Sequence, residues 1–331
     1  MASPTAAMAP TLERFADNVW LRFGLRRLGR LLVSVWVLLT AAFLMIHLIP
    51  GDPVRAALGI AAPPELVAAR REALGLNDPL WLQYVHYLRD LFTGDLGVST
   101  ITGLPVAQVI GDRLPATVEL ALGGFGLAVA IAVPLGLGMA VLTRGGRRRQ
   151  AELAFTSSSV LLAAVPEFLV AVGLVYVFSV ALGWAPVAGR SSPDSYILPI
   201  VALAVGPAAA LARIVRVETL SVLQADFIRT ARAKRLPDRL VYARHALPNA
   251  LTATITIGGL LLSGLVAGTV LVENVFAWPG LGSTIVQSIL AKDYPVVQAV
   301  VLVYGLGVLV VNLAVDVTLA LLDPRSTIRE S

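Results

Sequence analysis

The sequence contains no cysteine and little charge. Of its 331 residues, 14% are charged and 57% are hydrophobic, whereas a soluble globular protein carries about 25% charged residues. Without cysteine the chain has neither a disulfide framework nor a thiolate metal site. Its histidines, His47, His86 and His245, lie in separate regions and do not suggest a metal site. The composition therefore predicts a membrane protein without a resident metal.

The motifs of common catalytic and nucleotide-binding sites are also missing. Both lysines, Lys234 and Lys292, follow alanine, so the chain has no Gly-Lys-Ser/Thr loop for nucleotide phosphates. Neither HExxH nor GxSxG occurs. We therefore expect that the chain itself is not an enzyme and holds no cofactor. The net charge of +5 is attributed to loops that flank the membrane, and no nucleic-acid partner is expected.

Six apolar segments approach the length of about 20 residues that a membrane-spanning helix requires. They cover residues 31–49, 117–142, 153–182, 197–212, 251–272 and 296–322. The sequence thus predicts an all-α polytopic membrane protein with six transmembrane helices.

The arginines outside these segments predict the orientation of the chain. They concentrate before the first segment, after the second and fourth segments, and in the tail, which all fall on one side of a six-span arrangement. The positive-inside rule places residues 1–30, a loop at 218–248 and the tail 323–331 in the cytoplasm. Residues 50–116 then form an extracytoplasmic segment, and residues 117–322 form a five-helix core. Ser99 and Ser192 are expected to be accessible from outside.

Two extracytoplasmic stretches are predicted to be short helices. In the first, Trp81, Tyr84, Leu88 and Leu91 recur on one face of a helix, which favours a packing or interfacial helix over a ligand site. In the second, residues 276–295, a Pro-Gly turn precedes an apolar stretch and indicates an amphipathic or re-entrant helix.

A few polar residues fall within the predicted spans, where ionisable groups suggest function. Glu119 and Glu167 each follow a proline closely, where they are expected to cap or satisfy opened backbone. Asn312 and Asp316 lie one turn apart on one face. Because no basic partner is visible, we favour an interhelical hydrogen bond at this pair over a proton relay.

Gly264 and Gly268 have the spacing that lets two helix backbones approach closely. The sequence leaves open whether this surface is internal or meets another subunit.

One long basic insert interrupts the apolar chain: DFIRTARAKRLPDRLVYARHALPNA, residues 226–250. Its apolar residues fall near helical spacing, and Pro237 is expected to end the helix. An amphipathic helix on anionic lipid would explain the charge. It would not explain the small residues, among which Ala231 is expected to face a protein partner.

At these residues the sequence resembles the signature loop of binding-protein-dependent ABC importer permeases. That signature reads Glu-Ala-Ala, three residues, Gly, nine residues, Ile, one residue, Leu-Pro. Ala231, Leu247 and Pro248 match it, whereas Arg229, Thr230 and His245 depart from it, and Arg235 stands in place of the glycine.

The resemblance extends over nearly the whole chain. LIPGDP at 48–53, GDLGVS at 94–99, RLPATVELAL at 113–122, VPEFLV at 165–170, VENVFAWPGLG at 272–282, KDYPVVQ at 292–298 and NLAVD…LLDPR at 312–325 all look like the first permease subunit of dipeptide and oligopeptide importers. Several independent motifs in the right order make this a specific match.

The resemblance implies a type I ABC importer permease in the bacterial cytoplasmic membrane. Its implied partners are a second homologous permease, two ABC ATPase subunits that bind the ATP, surrounding lipid, and a substrate-binding protein docked on residues 50–116 and 273–295. A coupling helix around 223–236 would contact the ATPase. The implied coupling residues are Phe227, Ile228, Thr230, Ala231, Ala233, Lys234, Arg235, Leu236, Leu247 and Pro248.

The substrate implied by the resemblance is a peptide. Nickel, glutathione and other small solutes remain alternatives, because the binding protein does most of the selecting. A secondary transporter is less well supported, since no inverted repeat or set of buried coupling residues is visible. An intramembrane enzyme lacks a catalytic constellation.

Overall fold

The computed structural model describes residues 19–48, 53–59, 62–73 and 75–322. Within these ranges the chain is helical and has no strand. Residues 1–18 and the tail 323–331, both expected in the cytoplasm, lie outside the described residues.

The helices are numbered here in chain order. They are α1 (Val19–Leu48), α2 (Pro53–Leu58), α3 (Pro64–Ala73), α4 (Leu80–Phe92), α5 (Val106–Thr143), α6 (Arg149–Ala164), α7 (Glu167–Leu174), α8 (Ile197–Val222), α9 (Asp226–Ala233), α10 (Asp238–Leu240), α11 (Leu247–Val275), α12 (Leu281–Ala291) and α13 (Tyr294–Leu322). A π-helical stretch, Val175–Ala181, extends α7, and another, Val241–Ala246, joins α10 to α11.

Among the described residues, the helices long and apolar enough to cross a membrane are five: α1, α5, α8, α11 and α13. The bent pair α6–α7 brings the number to six when it is counted as one span. Each of the six segments predicted from hydropathy lies on one of these elements. The fourth segment extends well beyond Ala212, because α8 continues past Arg213 and Arg216 to Val222.

The third predicted span is a pair of helices joined at a sharp bend. Its two halves meet at 93°, and Val165 and Pro166 between them are extended. Proline has no backbone N–H and disfavours helical geometry in the residue before it, which breaks the helix here. Pro115 does not break its helix: it lies inside continuous α5, where its missing N–H leaves one carbonyl of the preceding turn without a helical partner.

The bundle is built around α8, which packs on α5, α6, α7 and α11. Glycine allows the closest of these approaches. A β-carbon at Gly136 of α5 would lie 2.5 Å from the carbonyl oxygen of Ala212 and 2.7 Å from Cβ of Val215. No side chain fits at this crossing without moving α8.

The predicted Gly264–Gly268 surface is divided between two environments. Nothing lies within 4 Å of a β-carbon built at Gly264. At Gly268, by contrast, the Glu167 carboxylate occupies the space that a β-carbon would take. Gly268 therefore makes an internal contact, whereas Gly264 is open.

The predicted helix in the outer segment is α4, and it packs on α1. The hydroxyls of Thr40 and Tyr84 lie 2.8 Å apart, and Leu88 and Leu91 pack on a small core that includes Leu39. Trp81 belongs to the predicted face but is 68% exposed. The packing interpretation therefore fits α4 for all but its first turn.

The second predicted outer helix is α12, which follows the Pro-Gly turn. It lies between α11 and α13 and also touches α5. Just beyond it, Asp293 accepts hydrogen bonds from the Ser99 hydroxyl and from the backbone N–H of Thr100. Ser99 is consequently buried, so the expectation that it is accessible is wrong.

Candidate functional site

The basic insert folds into α9, a helix with two very different faces. Ile228 and Ala231 point into the chain and pack with Leu223, Val241 and Ala246. The opposite face carries Phe227, Thr230, Ala233 and Lys234, all exposed. Phe227 keeps 46% of its surface exposed although it is aromatic.

The inward position of Ala231 corrects one expectation. Ala231 was expected to face a partner, but it is only 6% exposed and contributes to the core that anchors α9. The sequence pattern misled because small residues occur on both faces of this short helix. Thr230 and Ala233 are the small residues on the open face.

The end of α9 also differs from the expectation that Pro237 stops the helix. The backbone N–H of Arg235 donates to the carbonyl of Arg232 at 2.8 Å, and that of Leu236 donates to Ala231 at 3.4 Å. Arg235 has φ of +57°. This is a Schellman cap, in which the left-handed residue is usually glycine. The helix therefore ends at Ala233, before Pro237, through the backbone of Arg235.

Two of the three residues that match the signature lie on the other arm of the insert. Leu247 and Pro248 begin α11, directly after the π-helical stretch Val241–Ala246. Proline is tolerated there because the first N–H groups of a helix have no partner within it. Pro248 is exposed, and Leu247 and Leu236 are half-buried.

A buried arginine connects this insert to the rest of the bundle. Arg216 of α8 donates from Nη2 to Thr143 at 3.0 Å and to Oε1 of Glu152 at 2.7 Å. It thereby joins the ends of α5 and α6 to α8, which leads directly into α9. Sequence reasoning used Arg216 only to orient the chain and missed this contact.

On the outer side, Glu119 has a basic partner in the loop before α8. Nη2 of Arg190 lies 2.7 Å from both carboxylate oxygens, and the Tyr196 hydroxyl donates to Oε2 at 2.9 Å. The hydrogen bond to Tyr196 and the charge of Glu119 raise the pKa of Arg190. Glu119 thus ties this loop to α5 and does not satisfy opened backbone.

Glu273 near the outer end of α11 is fully buried, and sequence reasoning missed it. Its Oε1 accepts from the Thr117 hydroxyl at 2.6 Å, and its Oε2 accepts from the backbone N–H of Ser283 at 3.0 Å. A β-carbon at Gly280 would overlap the carboxylate. Glu273 therefore fastens α12 to α5 and α11. The predicted fifth span stopped at residue 272, three residues before α11 ends at Val275, and so left Glu273 out.

Two family models match this chain over most of its length. The model described as "Binding-protein-dependent transport system inner membrane component" matches residues 132–328. The model of the N-terminal part of such membrane components matches residues 20–121. The chain belongs to this family of transport permeases.

Curated relatives agree with this assignment. The permease is 37% identical over 305 residues to the glutathione transport system permease protein GsiC of Salmonella typhimurium (strain LT2), covering 92% of this chain and 98% of that protein. It is 36% identical over 304 residues to GsiC of Escherichia coli (strain K12), with the same coverage.

Solved structures share the fold of the permease. A chain of the methionine ABC transporter MetNI in an inward-facing conformation superposes with a TM-score of 0.56 at 21% identity. The match covers 65% of the permease and 97% of that chain. The fold is therefore that of ABC importer permeases. The family match makes the protein a multi-pass inner-membrane component of a transport system, and membership of this family implies ATPase and binding-protein partners in general.

The remaining intramembrane residues predicted from sequence form contacts between helices of the permease. Asn312 accepts from the Ser263 hydroxyl at 3.0 Å, which joins α13 to α11. Asp316 pairs with Arg27 of α1. Both residues thus join helices, as predicted. Asp316 also has a basic partner that the sequence did not reveal. This partner, Arg27, precedes the predicted first span but lies on α1, which begins earlier.

Glu167 is the predicted residue without such a contact. It begins α7 directly after the break and is half-buried against Gly268. Among the described residues no group of three His, Asp or Glu side chains could hold a metal ion.

Proposed function

We propose that this permease, paired with a second homologous permease, forms the membrane path for short peptides, glutathione among them. The observation that carries this proposal is the near full-length similarity to permeases named for glutathione transport. Glutathione is itself a tripeptide, so it belongs to the peptide class that the sequence motifs suggest. An extracytoplasmic binding protein would deliver the ligand and set most of the selectivity.

The proposed drive for transport is a contact between α9 and a separate ATPase subunit. An exposed phenylalanine on a cytoplasmic helix is the kind of side chain that anchors a protein interface. Phe227 is held rigidly, because the opposite face of α9 is anchored by Ile228 and Ala231. A rigid helix transmits force between subunits better than a flexible loop would.

The implied coupling residues then divide into two roles under this proposal. Phe227, Thr230, Ala233, Lys234, Arg235 and Pro248 are exposed and would meet the ATPase. Ile228, Ala231, Leu236 and Leu247 would hold the helix in place from within.

The proposed topology places both termini, α9 and the Arg144–Gly146 turn in the cytoplasm. It rests on the distribution of arginine. The permease would bind no ATP and catalyse no reaction, and the ATPase subunits would supply all hydrolysis.

The substrate proposal is tested with the complete complex in proteoliposomes. ATP-dependent accumulation of labelled dipeptides, oligopeptides and glutathione is measured beside nickel. We expect peptide uptake whose selectivity changes when the binding protein is exchanged. Accumulation of nickel without any peptide, across several binding proteins, would refute the peptide proposal and leave the permease assignment intact.

A further inference from the structure

The bent span carries a carboxylate at its break, and the length of α6 indicates how deep in the membrane this break lies. With about 1.5 Å of rise per residue, the 16 residues of α6 extend about 24 Å from its basic end, in a hydrocarbon layer about 30 Å thick. The 93° break follows, and Glu167 begins the next helix. Broken helices at membrane depth are where transporters commonly build binding sites.

Glu167 differs from three other carboxylates of the bundle. Glu119, Glu273 and Asp316 each have a hydrogen bond or an ion pair. Within the described part of the chain, neither a hydrogen-bond donor nor a cation pairs with Glu167. A carboxylate facing lipid is costly, so such residues face water or protein. The side of the Glu167 carboxylate that the permease leaves uncovered therefore faces the interior of the assembled transporter.

The surroundings of Glu167 leave room for a ligand. Gly268 of α11 lies against the carboxylate, and a larger residue there would displace it. One turn before Gly268, nothing lies within 4 Å of a β-carbon built at Gly264. Ala267, next to Gly268, is exposed. The carboxylate thus lies beside a strip of small residues on α11.

We propose that Glu167 binds the ammonium group of the transported peptide on its way through the membrane. This rests on the proposed peptide substrate. The α-ammonium is the cation that unmodified short peptides share, and a carboxylate is its natural hydrogen-bond partner. A single carboxylate suits an ammonium better than a divalent metal, which requires several ligands. One ion pair holds the peptide without reading its side chains.

The test uses the absence of cysteine from the chain. Gly264→Cys is introduced, and the complex with its second permease and ATPases is placed in nanodiscs without binding protein. The rate of alkylation of this cysteine by N-ethylmaleimide is measured with and without millimolar dialanine, in the nucleotide-free and vanadate-trapped states. N-acetyl-dialanine serves as the matched ligand that lacks the ammonium group.

We expect dialanine to slow the alkylation in at least one state and N-acetyl-dialanine not to do so. In the Gly264→Cys background, Glu167→Gln should raise the half-protecting concentration of dialanine about tenfold, the loss expected for one charged hydrogen bond. Glu167→Asp should retain protection. Glu119→Gln, which removes a carboxylate at the outer surface, should also retain it. Binding-protein-stimulated ATP hydrolysis shows that each variant has assembled.

Equal protection by both ligands, or unchanged protection in Glu167→Gln, would overturn the proposal. If alkylation is slow with or without ligand and becomes faster in Glu167→Gln, Glu167 would instead form an ion pair with the second permease. If proteoliposomes accumulate peptides but dialanine and N-acetyl-dialanine protect the cysteine equally, only this inference fails. If they accumulate no peptide at all, the proposed substrate fails first.

Discussion

At the scale of single residues, Arg235 shows how this chain keeps a family-like turn without the family glycine. The left-handed conformation at φ +57° costs an ordinary residue about 1 kcal/mol relative to glycine. The helix cap forms nevertheless, because its two backbone hydrogen bonds and the packing of Leu236 near Ala231 do not depend on the side chain at 235.

We therefore predict that Arg235→Gly preserves transport and raises the free energy of unfolding by about 1 kcal/mol. Arg235→Val should lower it, because a β-branched residue is strained at this φ. Thermal unfolding of the detergent-purified permease measures both. A loss of stability in Arg235→Gly would show that the arginine side chain, and not the backbone, sets this turn.

Phe227 and Ile228 are neighbours with opposite proposed roles. Replacing each in turn by aspartate distinguishes these roles. Phe227→Asp should leave the unfolding temperature of the isolated permease unchanged, because the side chain is exposed. It should reduce transport by the complex at least about tenfold, since burial of an aromatic side chain is worth about 1.5–3 kcal/mol. Ile228→Asp should instead destabilise the permease by burying an unpaired charge. Normal transport by Phe227→Asp would argue against the proposed contact.

At the scale of elements, the apolar spans are predictable from sequence because length and hydropathy are set by the membrane. The break in the third span is harder to predict. Pro115 lies within a continuous helix whereas Pro166 ends one, and the proline motif alone does not distinguish them. Glu273 was missed because its hydrogen-bond partners, Thr117 and Ser283, come from distant elements.

The crossing of α5 and α8 gives a prediction with a matched control. Gly136→Leu should lower the unfolding temperature and the yield of folded permease, because overpacking costs about 1–3 kcal/mol. Gly138→Leu should have little effect, since nothing lies within 4 Å of a β-carbon there. Fluorescence-detected size-exclusion chromatography after heating compares the two. Equal behaviour of the two variants would contradict the described crossing.

At the scale of the whole molecule, the orientation follows from the arginines. Ser191, in the loop before α8, and Gln150, in the first turn of α6, are exposed and lie on opposite sides of the proposed topology. We predict that Ser191→Cys reacts with a membrane-impermeant maleimide in intact cells, whereas Gln150→Cys reacts only after permeabilisation. Labelling of Gln150→Cys in intact cells would contradict the topology.

The central claim is that the exposed face of α9 meets an ATPase subunit. The direct measurement is photocross-linking in the assembled complex, with a maleimide-benzophenone probe on single cysteines. Thr230→Cys should cross-link to the ATPase. Ala231→Cys, buried one residue further on, should scarcely take the probe, and Ser191→Cys should take the probe without cross-linking. An ATPase adduct at Thr230 alone is the predicted result. A probe at Thr230 that reacts only with lipid or with the second permease would contradict the account.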